Sequence, residues 1–276
     1  MILQAAGAGE PQFVIRQVDH ARLAGRLAEA FGNSDFDPPQ PREHMLFVTT
    51  HHDDGWAELD AAPPRAPHTD LPYQFTETPA ALLVGIHAAS PDINEAHDQF
   101  CGLLASMHTW GLYNGRFGLS EQPSAHTLSP ADRPAVQRML QGELARQRHL
   151  QGHLAADPAT ATWVEDAYLF YCYQLLQFFD RLSLYFSLSD PARPAPATFK
   201  RVPRAPGVEA AIRLHPLRPG FYGLAPYPFA QDFLELHLTG RYLLPVPPQA
   251  DLVEALSDMT DERQRITLVA GTEDAG

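Results

Sequence analysis

The run Thr49-Thr50-His51-His52-Asp53-Asp54-Gly55-Trp56 places two imidazoles, two carboxylates, a glycine and a tryptophan directly behind the apolar stretch Met45-Leu46-Phe47-Val48. Neutral imidazole nitrogen and carboxylate oxygen suit iron, manganese, zinc or magnesium, so metal binding is the first chemistry on offer. On a helix beginning near Arg42, residues Met45, Thr49, His52 and Asp53 share one face, because residues three, four and seven apart are neighbours on a 3.6-residue turn. His51 is rotated by about 100° from that register. The dipeptide alone decides nothing, since His97-Asp98 repeats it.

A second ligand-bearing end is His108-Thr109-Trp110-Gly111-Leu112-Tyr113, where a histidine closes a helix expected over residues 93–108 with Phe100, Leu103, Leu104 and Met107 as its apolar side. His87 belongs to a shorter helix expected over residues 79–89. His20 falls on the stripe formed with Leu23, Ala24, Leu27 and Phe31 over residues 19–31, where a lone histidine is ordinarily a satisfied core residue unless other ligands meet it. Asp157-Pro158 is expected to start a long aromatic helix running to residue 188, on which Tyr173, Gln177, Asp180 and Leu184 share a face. An aspartate in so apolar a helix is costly to bury unless it is bound to metal or paired with a neighbour such as Arg181.

These elements must belong to a folded, water-facing protein. At 276 residues and 45% hydrophobic, the chain buries a sizeable core in one domain or a domain with an appended lobe. A formal charge of −13 repels phosphate backbones, which disfavours nucleic acid as a partner, while an anionic small-molecule substrate stays compatible if metal supplies local positive charge. Cys101 and Cys172 belong to no regular framework, and the start Met1-Ile2-Leu3-Gln4 lacks the features of a signal peptide; a reducing, cytoplasmic setting is expected. The apolar run 167–188 is interrupted by Gln174, Gln177, Asp180 and Arg181, so it reads as a buried helix and no membrane partner is expected.

In chain order, a hairpin is expected from residues 1–4 and 13–16, around the turn Gly7-Ala8-Gly9. The irregular stretch 58–79, with His68, Tyr73 and Phe75, is a candidate wall or lid. The helix over residues 129–156 is polar, and Arg146, Arg148, His149 and His153 read as a solvated face. Proline-rich residues 191–206 lead into short strands at 208–214, 233–238, 242–246 and 265–270. The expected architecture is mainly α: a helical metal-binding domain over residues 17–188, and a small antiparallel sheet made by residues 1–16 and 195–276.

The order His20, His52-Asp53, His87, His108, Asp180 resembles the HD-domain superfamily of helical, metal-dependent proteins. The resemblance implies an HD-like helical bundle, with His20, His52, Asp53 and Asp180 matching the four ligands of mononuclear members. His87, with His97 its rival, and His108 match the further pair of dinuclear members, in which the position of Asp53 bridges the two ions. More narrowly, HDDGW at 52–56, HTWGLY at 108–113 and QFFDRLSLYF at 177–186 resemble an uncharacterised bacterial family, a domain of unknown function. One departure is Trp56, where many superfamily members carry a substrate-contacting lysine.

The same resemblance implies an enzyme using one or two divalent ions (Fe, Mn, Zn or Mg), first of all a phosphohydrolase of a small phosphoester. The alternatives are a di-iron oxygenase of the same superfamily and a non-catalytic metal-binding or ligand-binding module. Asp53 and Asp54 are the catalytic candidates; Trp56, Trp110, Tyr113, Tyr173 and Gln177 are the candidates for contacting substrate or supporting the ligands.

Overall fold

Apolar residues on every side of one helix decide where the core lies, and that helix is α7, Asp166–Leu188, in which Leu169, Cys172, Leu175, Leu176, Phe179, Leu182 and Phe186 are all buried. Each large side chain so buried contributes about 2 kcal/mol. The computed structural model describes residues 1–7, 10–67, 69, 71–121, 128–243 and 251–271. The hairpin forms as expected, β1 (Ile2–Leu3) with β2 (Gln12–Ile15), although Ala8 and Gly9 of its turn lie outside the described residues. Three helices that touch α7 follow: α1 (Gln17–Ala30), α2 (Arg42–His51) and, later in the chain, α5 (Gln99–Tyr113). Between the last two come the short α3 (Ala57–Ala61) and α4 (Ala80–His97), and α6 (Arg133–Ala156) lies outside α5.

The expectation of a mainly α bundle with a small antiparallel sheet is corrected by the strands. β3 (Ala197–Ala205), β4 (Val208–Arg218), β5 (Phe221–Ala225), β6 (Phe233–Leu243) and β7 (Glu262–Ala270) join the hairpin in one seven-stranded sheet, order β1-β2-β6-β7-β5-β4-β3. The sheet is mixed, because β5 runs parallel to β7 while the other pairs are antiparallel. A short helix, α8 (Leu252–Ser257), precedes β7.

Three features hid this sheet. The proline-rich stretch contains β3, and β3 is an edge strand, the place where Pro203 is tolerated. The segments 233–238 and 242–246 are one strand to Leu243, paired straight through Thr239 and Gly240 with Arg263 and Glu262; residues 244–246 lie outside the described residues. β5 is buried over most of its five residues, so it shows no alternation. A single core runs from Leu27 and Phe31 of α1 through Phe178 and Phe179 to Phe199, Leu214, Leu236 and Ile266 of the sheet.

The helix boundaries also move. α4 continues through Pro91, which cannot donate to the carbonyl of His87; the Thr109 hydroxyl donates to that oxygen instead at 3.1 Å. The break falls at Asp98, whose carboxylate accepts from the backbone N–H groups of Phe100 (2.7 Å) and Cys101 (3.4 Å) and so caps α5. Residues 157–165 precede α7 rather than begin it, with a 3-10 turn at Ala161–Val164 that sets Trp163 against Phe100. On α6, Arg148, His149 and His153 are exposed as expected, but Arg146 pairs with Asp92 and Glu95 of α4 and with Glu143. No helix among the described residues is long and apolar enough to cross a membrane.

Candidate metal centre

Four helices converge on one buried point. α1 brings His20, the C-terminal end of α2 brings His52 and Asp53, α5 brings His108, and α7 brings Asp180. Two glycines of the sequence motifs allow the approach. A Cβ on Gly55 would lie 2.2 Å from the Ile86 carbonyl oxygen, so only glycine lets the turn after Asp53 press against α4. A Cβ on Gly111 would lie 2.1 Å from Tyr173 Oη, so glycine again lets α5 lie close to α7.

Two triplets, His20/His52/Asp180 and His52/Asp53/His108, each have ligand atoms within 4.8 Å of one another, and all five residues are buried. His20 Nε2 lies 3.1 Å from Asp53 Oδ2 and 3.8 Å from Asp180 Oδ1; His52 Nε2 lies 3.8 and 3.6 Å from the same two oxygens. His52 Nε2 is buried without a hydrogen-bond partner among the described residues.

Hydrogen bonds behind the rings fix which nitrogen faces the centre. His52 Nδ1–H donates to the Thr49 carbonyl at 2.8 Å, leaving Nε2 as the inward nitrogen. Ser183 Oγ spends its proton on the Asp180 carbonyl at 2.9 Å, so it accepts from His20 Nδ1–H at 2.7 Å and turns Nε2 of His20 inward as well. This is how metal-binding histidines are normally backed. His108 differs. Gln177 Oε1 accepts from Arg116 Nη1, which cannot itself accept, and this orients Gln177 Nε2 to donate to His108 Nδ1 at 2.9 Å. The proton of neutral His108 therefore sits on Nε2.

The charges are strongly coupled. Burial works against a charged His52, but the Asp53 and Asp180 carboxylates outweigh it and hold the imidazole up at about 9. Burial likewise opposes ionisation of Asp53 and Asp180. His52 and His20 hold Asp53 below the usual carboxylate range, and Arg116 with His52 holds Asp180 well below it. His108 is pushed down to about 4, by burial first and then by His52 and Arg116 against the pull of the carboxylates. Without a cation the centre thus holds an imidazolium between two carboxylates.

The centre opens on a cavity of about 160 Å³ with Trp56, Phe75, Leu112 and Leu184 as its apolar wall. Phe75 comes from the irregular stretch 58–79, which is a wall of this cavity; His68 lies outside the described residues. His87 lines the cavity but belongs to neither triplet, and its Nδ1 meets Tyr113 Oη at 2.8 Å. His97 is exposed and stacks on Phe47, away from the centre. Asp54 turns outward to His51 at 2.7 Å and lines a separate depression of about 550 Å³.

Trp110 packs against Phe117 with the rings tilted by 42° and does not line the cavity, and Tyr173 lies buried behind Gly111. Arg181, the anticipated partner of Asp180, lies over the Phe199 ring instead. A larger depression of about 920 Å³ between α1 and β6 contains neither triplet.

Two residues that contact the centre, Ser183 and Arg116, are not among the sequence candidates. Ser183 sits inside the motif QFFDRLSLYF, three residues after Asp180, and is legible only once His20 is known to face it. Arg116 places Nη1 2.6 Å from Asp180 Oδ2. Its signal was the glycine-flanked Gly115-Arg116-Phe117-Gly118 directly after HTWGLY-Asn114.

The chain belongs to the family described as protein of unknown function (DUF3891), whose sequence profile matches residues 1–244. No curated protein and no solved structure matches it.

Proposed function

We propose that this chain is a divalent-metal-dependent phosphohydrolase with an HD-type ligand set, His20, His52, Asp53 and Asp180, acting on a small phosphoester. The observation that carries the reading is the orphaned, fully buried His52 Nε2, aimed at two carboxylate oxygens that His20 Nε2 also faces. At 3.6 and 3.8 Å the two carboxylates balance the charge of His52 without accepting a hydrogen bond from Nε2, and a cation among these four side chains would take the place of that proton and compensate both carboxylates. The donor set fits iron, manganese, zinc or magnesium.

A divalent ion held there supplies Lewis-acid polarisation of a phosphoryl oxygen and a lowered pKa for water. The chain does the rest. Thr49 and Ser183 hold the two imidazole tautomers, Arg116 and Gln177 hold that of His108, and His108 presents Nε2–H as a donor for a phosphoryl or leaving-group oxygen. Trp56, Phe75, Leu112 and Leu184 exclude bulk water. A di-iron oxygenase would need His87 and His108 as further ligands. The donation from Gln177 to His108 Nδ1, and the position of His87 outside both triplets, favour the single-ion hydrolase.

The test is elemental analysis of the purified protein together with a panel of phosphomonoesters and phosphodiesters. About one ion per chain, and turnover that disappears in His52→Ala, is the expected result. Full metal loading with no turnover of any phosphoester would overturn the reading in favour of a non-catalytic module.

A further inference from the structure

Asp180 faces two ways. Its Oδ1 looks toward His52 Nε2 and His20 Nε2 at 3.6 and 3.8 Å, and its Oδ2 accepts from Arg116 Nη1 at 2.6 Å. The guanidinium therefore stands one carboxylate away from the metal ligands. Nη1 also donates to Gln177 Oε1, so a single nitrogen of Arg116 serves both fixed acceptors. Nε–H and Nη2–H make no hydrogen bond to any described residue, although the side chain is only 14% exposed and lines the cavity. That edge is the planar fork that grips two oxygens of one phosphate.

The backbone points the same way. Arg116 (φ 51°, ψ 45°) and Phe117 (φ 53°, ψ 39°) are two successive left-handed residues, neither of them glycine. Such conformations are unfavourable, persist only where the surroundings enforce them, and cluster at functional sites. A plain counter-ion for Asp180 asks for none of this: Arg181 is adjacent in sequence on an ordinary helix, yet lies over Phe199.

Charge and size narrow the ligand. Two carboxylates line the cavity of a chain carrying −13, and Arg116 is the one Arg or Lys among its described lining residues. An anion entering there meets repulsion unless it reaches that guanidinium and the neighbouring cation. About 160 Å³ is well below the 300 Å³ or so of the smaller drug-sized pockets, so it holds a phosphoryl head and leaves the rest of the substrate at the mouth.

We propose that Arg116 is a substrate-binding residue whose Nε–Nη2 edge receives the phosphoryl group, and that the substrate class is small phosphomonoesters. The inference rests on the metal-hydrolase reading above. It is tested with inorganic phosphate as the probe, by calorimetric titration into metal-loaded wild type, Arg116→Lys and Arg116→Gln, with metal content and melting recorded on the same samples. Arg116→Lys keeps a cation for Asp180 but lacks the fork. Its metal content and melting should match wild type while phosphate binds about tenfold more weakly or worse, and Arg116→Gln should bind phosphate more weakly still.

A role confined to holding Asp180 predicts unchanged phosphate affinity in Arg116→Lys, and that result overturns the proposal; so does a metal-loaded wild type that binds no phosphate. Failure of the two readings is separable. Phosphate binding that depends on Arg116 in a protein that turns over no phosphoester removes the hydrolase and keeps the anion site. Turnover with phosphate affinity indifferent to Arg116 does the reverse.

Discussion

The chain contains the dipeptide His-Asp twice, each time between the end of one helix and the start of the next, and the two copies meet different surroundings. At His52-Asp53 the imidazole is fully buried and Asp53 is 8% exposed, with Thr49 behind the ring and Asp180 and His20 in front of it. At His97-Asp98 the imidazole ends α4 in solvent, stacked on Phe47 with ring centroids 3.5 Å apart, and the carboxylate caps α5. The difference lies in what meets the pair: an acceptor for Nδ1–H and an opposing carboxylate from another helix. Among the described residues His97-Asp98 has neither in place. The carboxylate there is spent on backbone N–H groups, and the nearby His44 Nε2 stands 3.6 Å from its other oxygen.

The two dipeptides should differ most in metal content. His52→Ala and Asp53→Ala should each abolish stoichiometric metal binding, while His97→Ala and Asp98→Ala leave it unchanged, as read by elemental analysis of the folded variants. Metal retained in His52→Ala, or lost in His97→Ala, would erase the distinction. Asp180→Asn comes next. It keeps the shape, removes the charge, and strands the Arg116 guanidinium, so metal affinity should fall sharply and the metal-free protein should lose on the order of 3 kcal/mol. Denaturant melts of metal-free wild type and variant give the second number, and an unchanged melt would mean that Arg116 does not depend on Asp180.

Titration sharpens the contrast further. His52 is held up at about 9 in the fold against 6.5 as its ordinary value, so its contribution to metal-free stability is fully present below about 6.5 and fades as pH rises to about 9. Asp53 and Asp180 are held below their ordinary value of 3.8, so theirs is present above that pH and lost in acid. Metal affinity should run opposite to the histidine term, strengthening as pH climbs toward 9 because the proton on His52 must leave. Chemical denaturation of the metal-free protein at pH 6 and at pH 9 should show the loss in wild type and a flatter response in His52→Ala; equal slopes would remove the imidazolium from between the carboxylates.

Much of this centre could be read from the chain, because it rests on local periodicity. Asp180 sits on an apolar helix where a charge needs a reason, and the spacing from Met45 and Thr49 to His52 points to His52 rather than His51, although α2 ends at His51 and Asp53 lies in the turn beyond it rather than on the helix face. What escaped is non-local or strained. No periodicity announces Arg116 in a left-handed turn, and Ser183 matters only because α1 brings His20 to it across 163 positions. The sheet was underestimated for a related reason: β3 carries proline at an edge and β5 is short and buried, so neither alternates. Pairing to distant strands, including the union of β2 with β6 from opposite ends of the sequence, makes them strands.

The smallest expected effect belongs to the outer dipeptide, and it shows what that copy is for. Asp98 satisfies two backbone donors at the start of α5, and losing such a cap costs about 1 kcal/mol. Its approach to half-exposed His44 adds little, since ion pairs in contact with water are worth a fraction of that. Asp98→Ala should therefore lower the melting temperature by about 2–4 °C in a chain of this size, with metal content unchanged. Asp98→Asn, which keeps a capping oxygen and discards the charge, should recover most of the loss because asparagine caps helices about as well as aspartate. If Asp98→Asn were as damaging as Asp98→Ala, the charge rather than the cap would be at work, and the outer pair would resemble the inner one more than its geometry allows.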